Sequence, residues 1–441
     1  MNKHIGTIKR WRVQIFAITW LAYAAFYFTR KAFSVAKLGI GEDPTFHMDK
    51  MAMANLDAIY LAAYAVGQFT WGILADRYGP RVVVLGGLII SALAALVMGT
   101  FATLPIFATC MLIQGLAQST GWAALCKNIG SFFPAKQRGQ VLGLWSSSYA
   151  FGGLVASPFA GWWAYTLIGS WHAAFISSAA VVAVTAVLFF IFQRNKPEDV
   201  GLPAVEPEPQ MSAEEIEAEK KLGFWAPLRE IMRNRTVLTL GLAYFMLKPA
   251  RYAILLWGPV IVFEQMPQVG KVGAAIIPTA FELAGLLGPV MIGVASDKIF
   301  GARRMPACIL SLLALTISLA FFMGALQSGS VLIVVALLFV MGLTLYGPDS
   351  MICGAAAIDF GTAKAGATAA GFVNGCGSVG AVLGGLLPGY FDTVTVFIVF
   401  SCCALFSALV LIPYWNSRPD GYRRECAFVP NHPLLIKPLR T

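Results

Sequence analysis

Two arginines stand where a charge is costly. Arg30 lies in LAYAAFYFTRKAF (Leu21–Phe33) and Arg251 in LAYFMLKPARYAILLWG (Leu242–Gly258), both largely apolar, aromatic-rich runs. A cation at the centre of a membrane helix costs about 2.5–3.5 kcal/mol on insertion scales, so such a residue needs a functional reason. A guanidinium offers a planar fork of donors that can bond two oxygens of one anion at once. Two forks, one from each side, would close on a small tetrahedral anion.

Neighbouring side chains strengthen this expectation. On a helix of 3.6 residues per turn, Tyr23, Tyr27, Arg30 and Ser34 share one face, as do Tyr244, Lys248 and Arg251. Lys31 falls off that face, with reach toward headgroups. Tyr60, Tyr64 and Gln68 form a polar stripe at four-residue intervals, which marks Tyr64 as pocket lining. Tyr149, Tyr346, Lys127 and Trp257 complete the candidate binding set, and Trp122 and Trp257 read equally as core. The intramembrane acids Asp57, Glu282, Asp349 and Asp359 either relay protons or pair with the cations, and pairing is the reading favoured here.

These residues need membrane-spanning helices to position them. The chain of 441 residues is 58% hydrophobic and 12% charged, with mean hydropathy +0.71, against about 25% charge in a soluble domain. At about 20 apolar residues per crossing, twelve spans are expected near 12–37, 53–75, 82–103, 105–131, 139–167, 171–193, 236–263, 272–296, 306–327, 330–353, 364–390 and 393–416. The fold class is therefore an all-α membrane protein of two six-helix halves. The formal charge of +10 lies in short connections between spans, which excludes a folded nucleic-acid-binding face. Lys3, Lys9, Arg10, Arg12, Arg77, Arg81, Lys136, Arg138, Lys298, Arg303, Arg304, Lys364, Arg418, Arg423 and Arg424 fall on one side, and Lys50 and Lys271 are nearly alone on the other. By the positive-inside rule both termini are cytoplasmic and no cleaved leader is expected. The eight cysteines contain no CxxC pair, and neither a metal nor a cofactor is expected.

The halves repeat. GILADRYGPR (Gly72–Arg81) recurs as GVASDKIFGARR (Gly293–Arg304), and Asp76 and Asp297 differ by 221 positions (297 − 76). The same offset carries Leu21-Ala22-Tyr23 onto Leu242-Ala243-Tyr244 and Arg30 onto Arg251. Binding between parallel repeats, near the midplane, is a transporter arrangement. The expected domains are residues 1–193, a polar linker 194–235 with a capping box at Ser212 and Glu215, and 236–441. Asp76, Arg77, Arg81, Asp297, Lys298, Arg303 and Arg304 lie at helix ends, where ion pairs gate one mouth. Gly152/Gly153, Gly371/Gly375 and Gly380/Gly384 let helices approach closely.

Taken together, the GxxxDRxGxR loops resemble the signature of the major facilitator superfamily. YFTRKAFS, QSTGW (Gln118–Trp122), PEDVGLP (Pro197–Pro203), SDKIF (Ser296–Phe300), YGP (Tyr346–Pro348) and AAGF (Ala369–Phe372) resemble its organophosphate:phosphate antiporters. The resemblance implies exchange of a phosphorylated small metabolite for inorganic phosphate by alternating access, across the cell's inner membrane and as a monomer, with the arginines on the phosphate. The glycerol-phosphate branch carries a histidine where Tyr149 stands, a departure that bears on glycerol 3-phosphate more than on phosphate recognition. A membrane sensor of sugar phosphate and a proton-coupled organic-anion symporter are the alternatives. No nucleotide loop, metal spacing or nucleophile motif points to an enzyme.

Overall fold

A computed structural model describes residues 2–134, 141–205, 231–301, 303–360 and 366–417; the side chains of 2–6, Phe69, Gly72, Ile73, Asp76, Ala355, Ile358, Asp359 and 366–368 are not among those described. The capping box at Ser212, the loop cations Lys136, Arg138 and Lys364, and the basic tail from Arg418 thus lie outside the described residues, as do the side chains of Lys3, Asp76 and Asp359.

Helices account for the described chain. The first half holds α1 (Asn2–Ile40), α2 (Lys50–Tyr78), α3 (Pro80–Thr100), α4 (Leu104–Gln118), α5 (Gly121–Phe132), α6 (Ser147–Trp162) and α7 (His172–Phe192). The second holds α8 (Arg235–Gln265), α9 (Gly270–Ile276), α10 (Thr279–Val294), α11 (Arg304–Gln327), α12 (Val331–Ser350), α13 (Gly366–Tyr390) and α14 (Thr393–Leu411). Each half makes six crossings because one crossing in each is broken: α4 and α5 are parted at Ser119–Thr120, and α9 and α10 at Ile277–Pro278.

Among the described residues, eight helical stretches satisfy simple length and hydropathy criteria for a span. The other four crossings are the first two, whose helices carry Arg30, Lys31, Lys37 and Asp57, the interrupted fourth, and the fifth, where a turn at Ser146 precedes α6.

The packing repeats as the sequence does. In the first half α1 packs on α6 and α7, α2 on α4, and α3 on α7. Their counterparts in the second half match: α8 packs on α13 and α14, α10 on α12, and α11 on α14. Between halves α2 meets α13 while α6 meets α10, and α1 meets α8. Small residues set the spacing: a Cβ on Gly380 or Gly384 would lie 2.1 Å from the Phe245 carbonyl oxygen or 2.3 Å from that of Pro249, so α13 approaches the α8 backbone directly.

Exchanged ion pairs tie the halves together at one end. Lys50 meets Glu264 at 2.6 Å, and Lys271 meets Glu42 at 2.7 Å. Lys50 and Lys271 are again 221 positions apart (271 − 50), so each repeat gives the other its cation and takes its anion, as across a two-fold axis. Tyr390 adds a hydrogen bond to Asn55 at 2.9 Å nearby.

Candidate functional site

Five cations are buried among the described residues: Arg30, Lys31, Lys37, Lys248 and Arg251. Burying an ion without a partner costs several kcal/mol, so the partners of each decide what it can do. Four of the five have a carboxylate. Lys31 Nζ lies 3.4 Å from Glu282 Oε1 and donates to the Leu255 carbonyl at 2.9 Å, which crosses from α1 to α8 and α10. Lys37 pairs with Asp57, donates to the Leu256 carbonyl at 3.2 Å, and sits 3.9 Å over the Trp257 ring. Lys248 and Arg251 share one acid: Asp349 Oδ1 is 3.1 Å from Lys248 Nζ and Oδ2 is 2.8 Å from Arg251 Nη1.

Arg30 is the exception. It is 5% exposed, and no carboxylate meets it among the described residues. Its Nε donates to Gln118 Oε1 at 3.0 Å, and its guanidinium lies 4.5 Å from the Tyr27 ring centre and 4.9 Å from that of Tyr64. Ring faces stabilise a cation without neutralising it. Arg251 has an equivalent cage, 4.6 Å from Tyr346 and 5.2 Å from Tyr149, with those two rings stacked at 6.4 Å. Because Tyr149 comes from the first half, that cage closes across the interface. Tyr27 is within electrostatic reach of both arginines. Arg251 Nε is buried with no hydrogen-bond partner among the described residues.

The expected binding residues therefore separate into groups. Arg30, Tyr27 and Tyr64 form one cluster, and Arg251, Lys248, Tyr149, Tyr346 and Asp349 another; Lys31, Glu282 and the Tyr346 hydroxyl, which donates to Glu282 Oε2 at 2.6 Å, join them. Tyr23 stands one step back, against Trp122 and Trp145 at 5.6 and 5.1 Å. Trp257 belongs elsewhere: it is buried against Lys37 and donates to the Gly385 carbonyl at 2.9 Å, tying α8 to α13. Lys127 is exposed on α5, next to Asn128, which binds the carbonyls of Arg194 and Asn195. Lys31 is 2% exposed and turned inward to Glu282, not outward to headgroups, because a carboxylate within reach outweighs snorkelling.

Acidic side chains were expected to pair, and Asp57, Glu282 and Asp349 each do. The extra cation Lys248 is matched by Asp349, so the second half presents no surplus of charge over the first. The loop residues brace their own half. Arg81 donates to the Phe190 carbonyl and its backbone N–H to Asn195 Oδ1, Asp297 pairs with Arg304, and Arg303 reaches Asn416 at 3.2 Å. Arg77 and Lys298 are exposed. The described hydrogen bonds and ion pairs that cross between halves run from Lys31 outward to the Lys50–Glu264 and Lys271–Glu42 pairs, at the opposite end from these loops.

Two residues of this network escaped the sequence reading. Lys37 closes the first span and reads as a flanking charge; its i−4 and i−7 neighbours Phe33 and Arg30 are the signal that it faces inward. Gln118 sits inside QSTGW, and its polarity in an apolar run is the signal it carries.

Comparison with known proteins places this geometry. The sequence signature of the Major Facilitator Superfamily matches residues 19–384. A probable hexose phosphate transport protein of Chlamydia muridarum is 28% identical over 433 residues, covering 95% of this chain and 94% of its own length. The membrane sensor protein UhpC of Escherichia coli K12 is 28% identical over 418 residues, covering 92% and 93%. Among solved structures, a bacterial homologue of the human lysosomal transporter Spinster superposes with a TM-score of 0.71 at 14% identity, over 92% of this chain and 96% of that one. The hexose phosphate transport relative accords with the motif resemblance, and the chain belongs to the Major Facilitator Superfamily.

Proposed function

We propose that this chain is a secondary transporter that exchanges a phosphorylated small metabolite, of the sugar phosphate, glycerol phosphate or phosphoglycerate class, for inorganic phosphate. The observation that carries this reading is Arg30, a buried guanidinium held on its Nε edge and faced by rings, with no carboxylate on its Nη fork among the described residues. Around it, the four cations Arg30, Lys31, Lys248 and Arg251 meet the two carboxylates Glu282 and Asp349. Two formal positive charges are left over, which one phosphate dianion matches. Closing the halves over an empty site would bury that surplus, whereas closing over the dianion would not. Coupling of movement to occupancy, and hence exchange, follows from this balance.

In this reading the phosphate bridges Arg30 and Arg251, displacing Asp349 from the latter while Lys248 retains it. Residues 1–193 and 236–441 rock about the site, and 194–235 connects them. The Lys50–Glu264 and Lys271–Glu42 pairs close the external mouth, with the Asp76 and Asp297 loops and both termini on the cytoplasmic side of the inner membrane. One monomer in the bilayer suffices.

Counterflow tests it. Proteoliposomes loaded with phosphate should take up a labelled sugar phosphate, and should not when loaded with buffer alone. A panel of phosphorylated metabolites giving no uptake in either case overturns the proposal. Binding without transport would assign the sensor role named in the Escherichia coli relative. Uptake that follows an imposed pH gradient without internal phosphate would assign a proton-coupled symporter.

A further inference from the structure

Gln118 is fully buried where the fourth crossing breaks. Its carboxamide has two acceptor sites and two donors, and all four are used. Oε1 accepts from Arg30 Nε at 3.0 Å and from the Tyr60 hydroxyl at 2.7 Å; Nε2 donates to Thr29 Oγ1 at 3.1 Å and Ser91 Oγ at 3.3 Å. Thr29 and Ser91 also meet each other at 2.9 Å. An arginine can only donate, so the amide oxygen must face Arg30, and the network fixes the orientation of the amide without ambiguity. The surrounding backbone is brought close by absent side chains: a Cβ on Gly87 would lie 2.1 Å from Thr120 Oγ1, and one on Gly115 would lie 2.3 Å from the Tyr60 carbonyl oxygen. Helices α1, α2, α3 and α4 thus converge on a single side chain.

The second half solves the same problem differently. Arg251 is held through Nη1 by the carboxylate of Asp349, which orients it and divides its negative charge between Arg251 and Lys248. Gln118 orients Arg30 through Nε and leaves its charge whole. We propose that Gln118 is a positioning residue for anion binding: its neutral amide aims the Nη fork of Arg30 at the phosphate, and its neutrality is what makes Arg30 the permanent anion seat and Arg251 the switchable one. This rests on the reading of Arg30 as a phosphate ligand. A glutamate at position 118 has the same shape and would accept the same two bonds, but would occupy Arg30 with an internal anion.

The test is equilibrium binding of inorganic phosphate to the purified full-length protein, wild type against Gln118→Glu, Gln118→Met and Arg30→Lys, from pH 5 to 8. The ionisable groups bonded to position 118 are Arg30 from α1 and Tyr60 from α2, with Tyr27 and Tyr64 on the same guanidinium; α3 contributes only the Ser91 hydroxyl. Gln118→Glu should weaken binding roughly tenfold or more at pH 8, and the deficit relative to wild type at the same pH should shrink as the introduced carboxyl protonates. Gln118→Met should also weaken binding, with a deficit that does not vary with pH. Equal, pH-independent losses in both variants would mean a merely structural role and overturn the proposal, as would undiminished affinity in Gln118→Glu while Arg30→Lys binds weakly. Full affinity in Arg30→Lys overturns the underlying phosphate reading instead.

Discussion

Asp349→Asn separates the resting ion pair from the substrate it is proposed to imitate. Asp349 is 4% exposed and holds two cations, at 3.1 Å from Lys248 and 2.8 Å from Arg251. Removing one member of a buried ion pair costs about 3–5 kcal/mol, because the remaining charge is stranded. Asparagine keeps the shape and one acceptor, which places the expected loss near the low end, about 3 kcal/mol. Phosphate should return part of it. Any ligand at 100 times its Kd stabilises the folded state by about 2.7 kcal/mol. If losing the internal competitor tightens phosphate binding tenfold, the variant gains about 1.4 kcal/mol beyond wild type at the same high phosphate concentration. The assay is thermal unfolding of detergent-purified protein, followed by tryptophan fluorescence across a phosphate titration. The variant should melt below wild type without phosphate and, at the same high phosphate concentration, close nearly half of that gap, about 1.4 of about 3 kcal/mol. If phosphate stabilises the variant no more than wild type, Asp349 does not compete with phosphate and the ion-pair exchange is wrong.

Other perturbations test other parts. Lys37 and Asp57 form a pair buried under Trp257; Lys37→Met or Asp57→Leu alone should each lower stability by about 3–5 kcal/mol, and the double variant should recover most of the loss in a melting cycle. Additive losses would exclude coupling. At the rim proposed as external both pairs are partly exposed, so each contributes only about 0.2–1 kcal/mol. Glu42→Lys with Lys271→Glu should therefore keep the distance between spin labels across that rim, whereas either reversal alone should widen it, less so at high salt; equal distances in all variants would remove the gating role. In the 41–49 loop, hydrogen bonds from Trp171 Nε1 and then Thr45 hold the Asp43 carboxyl well below the usual carboxylate range. A lowered folded value stabilises the loop above the unfolded aspartate value of about 3.9 and loses that contribution as pH falls toward the folded one. The Trp171 environment, read by fluorescence against Trp171→Phe in a His172→Gln background that removes the titration of the imidazole stacked on it at 3.6 Å, should hold at pH 5 and change only below about pH 4; a transition near neutrality would contradict it.

How far the sequence carried can be judged from particular residues. Arg30 and Arg251 were legible because an unpaired-looking charge in an apolar run is rare and a fixed offset repeated it. The six-plus-six architecture was legible for the same reason, since hydropathy and repeat agree. What was not legible is who meets whom. Asp349 lies 98 positions beyond Arg251 and Glu282 lies on α10, far along the chain from Lys31, and helix periodicity says nothing about partners on other helices. The breaks at Ser119–Thr120 and Ile277–Pro278 were hidden too: only Pro278 marks one of them, and Ser-Thr is compatible with a continuous membrane helix. Trp257 could have joined either the substrate or the core by type alone, and Lys37 decided it by offering a cation to its ring.

The central claim is that Arg30 seats the phosphate of an exchanger, and one measurement reaches it most directly: counterflow of labelled phosphate against a sugar phosphate in proteoliposomes, wild type beside Arg30→Lys. Lysine keeps the charge but loses the bidentate fork and the Nε bond to Gln118. The expected result is exchange by wild type and a rate at least roughly tenfold lower in the variant, with the variant still folded by its melting transition. Exchange at the wild-type rate by Arg30→Lys would contradict the account.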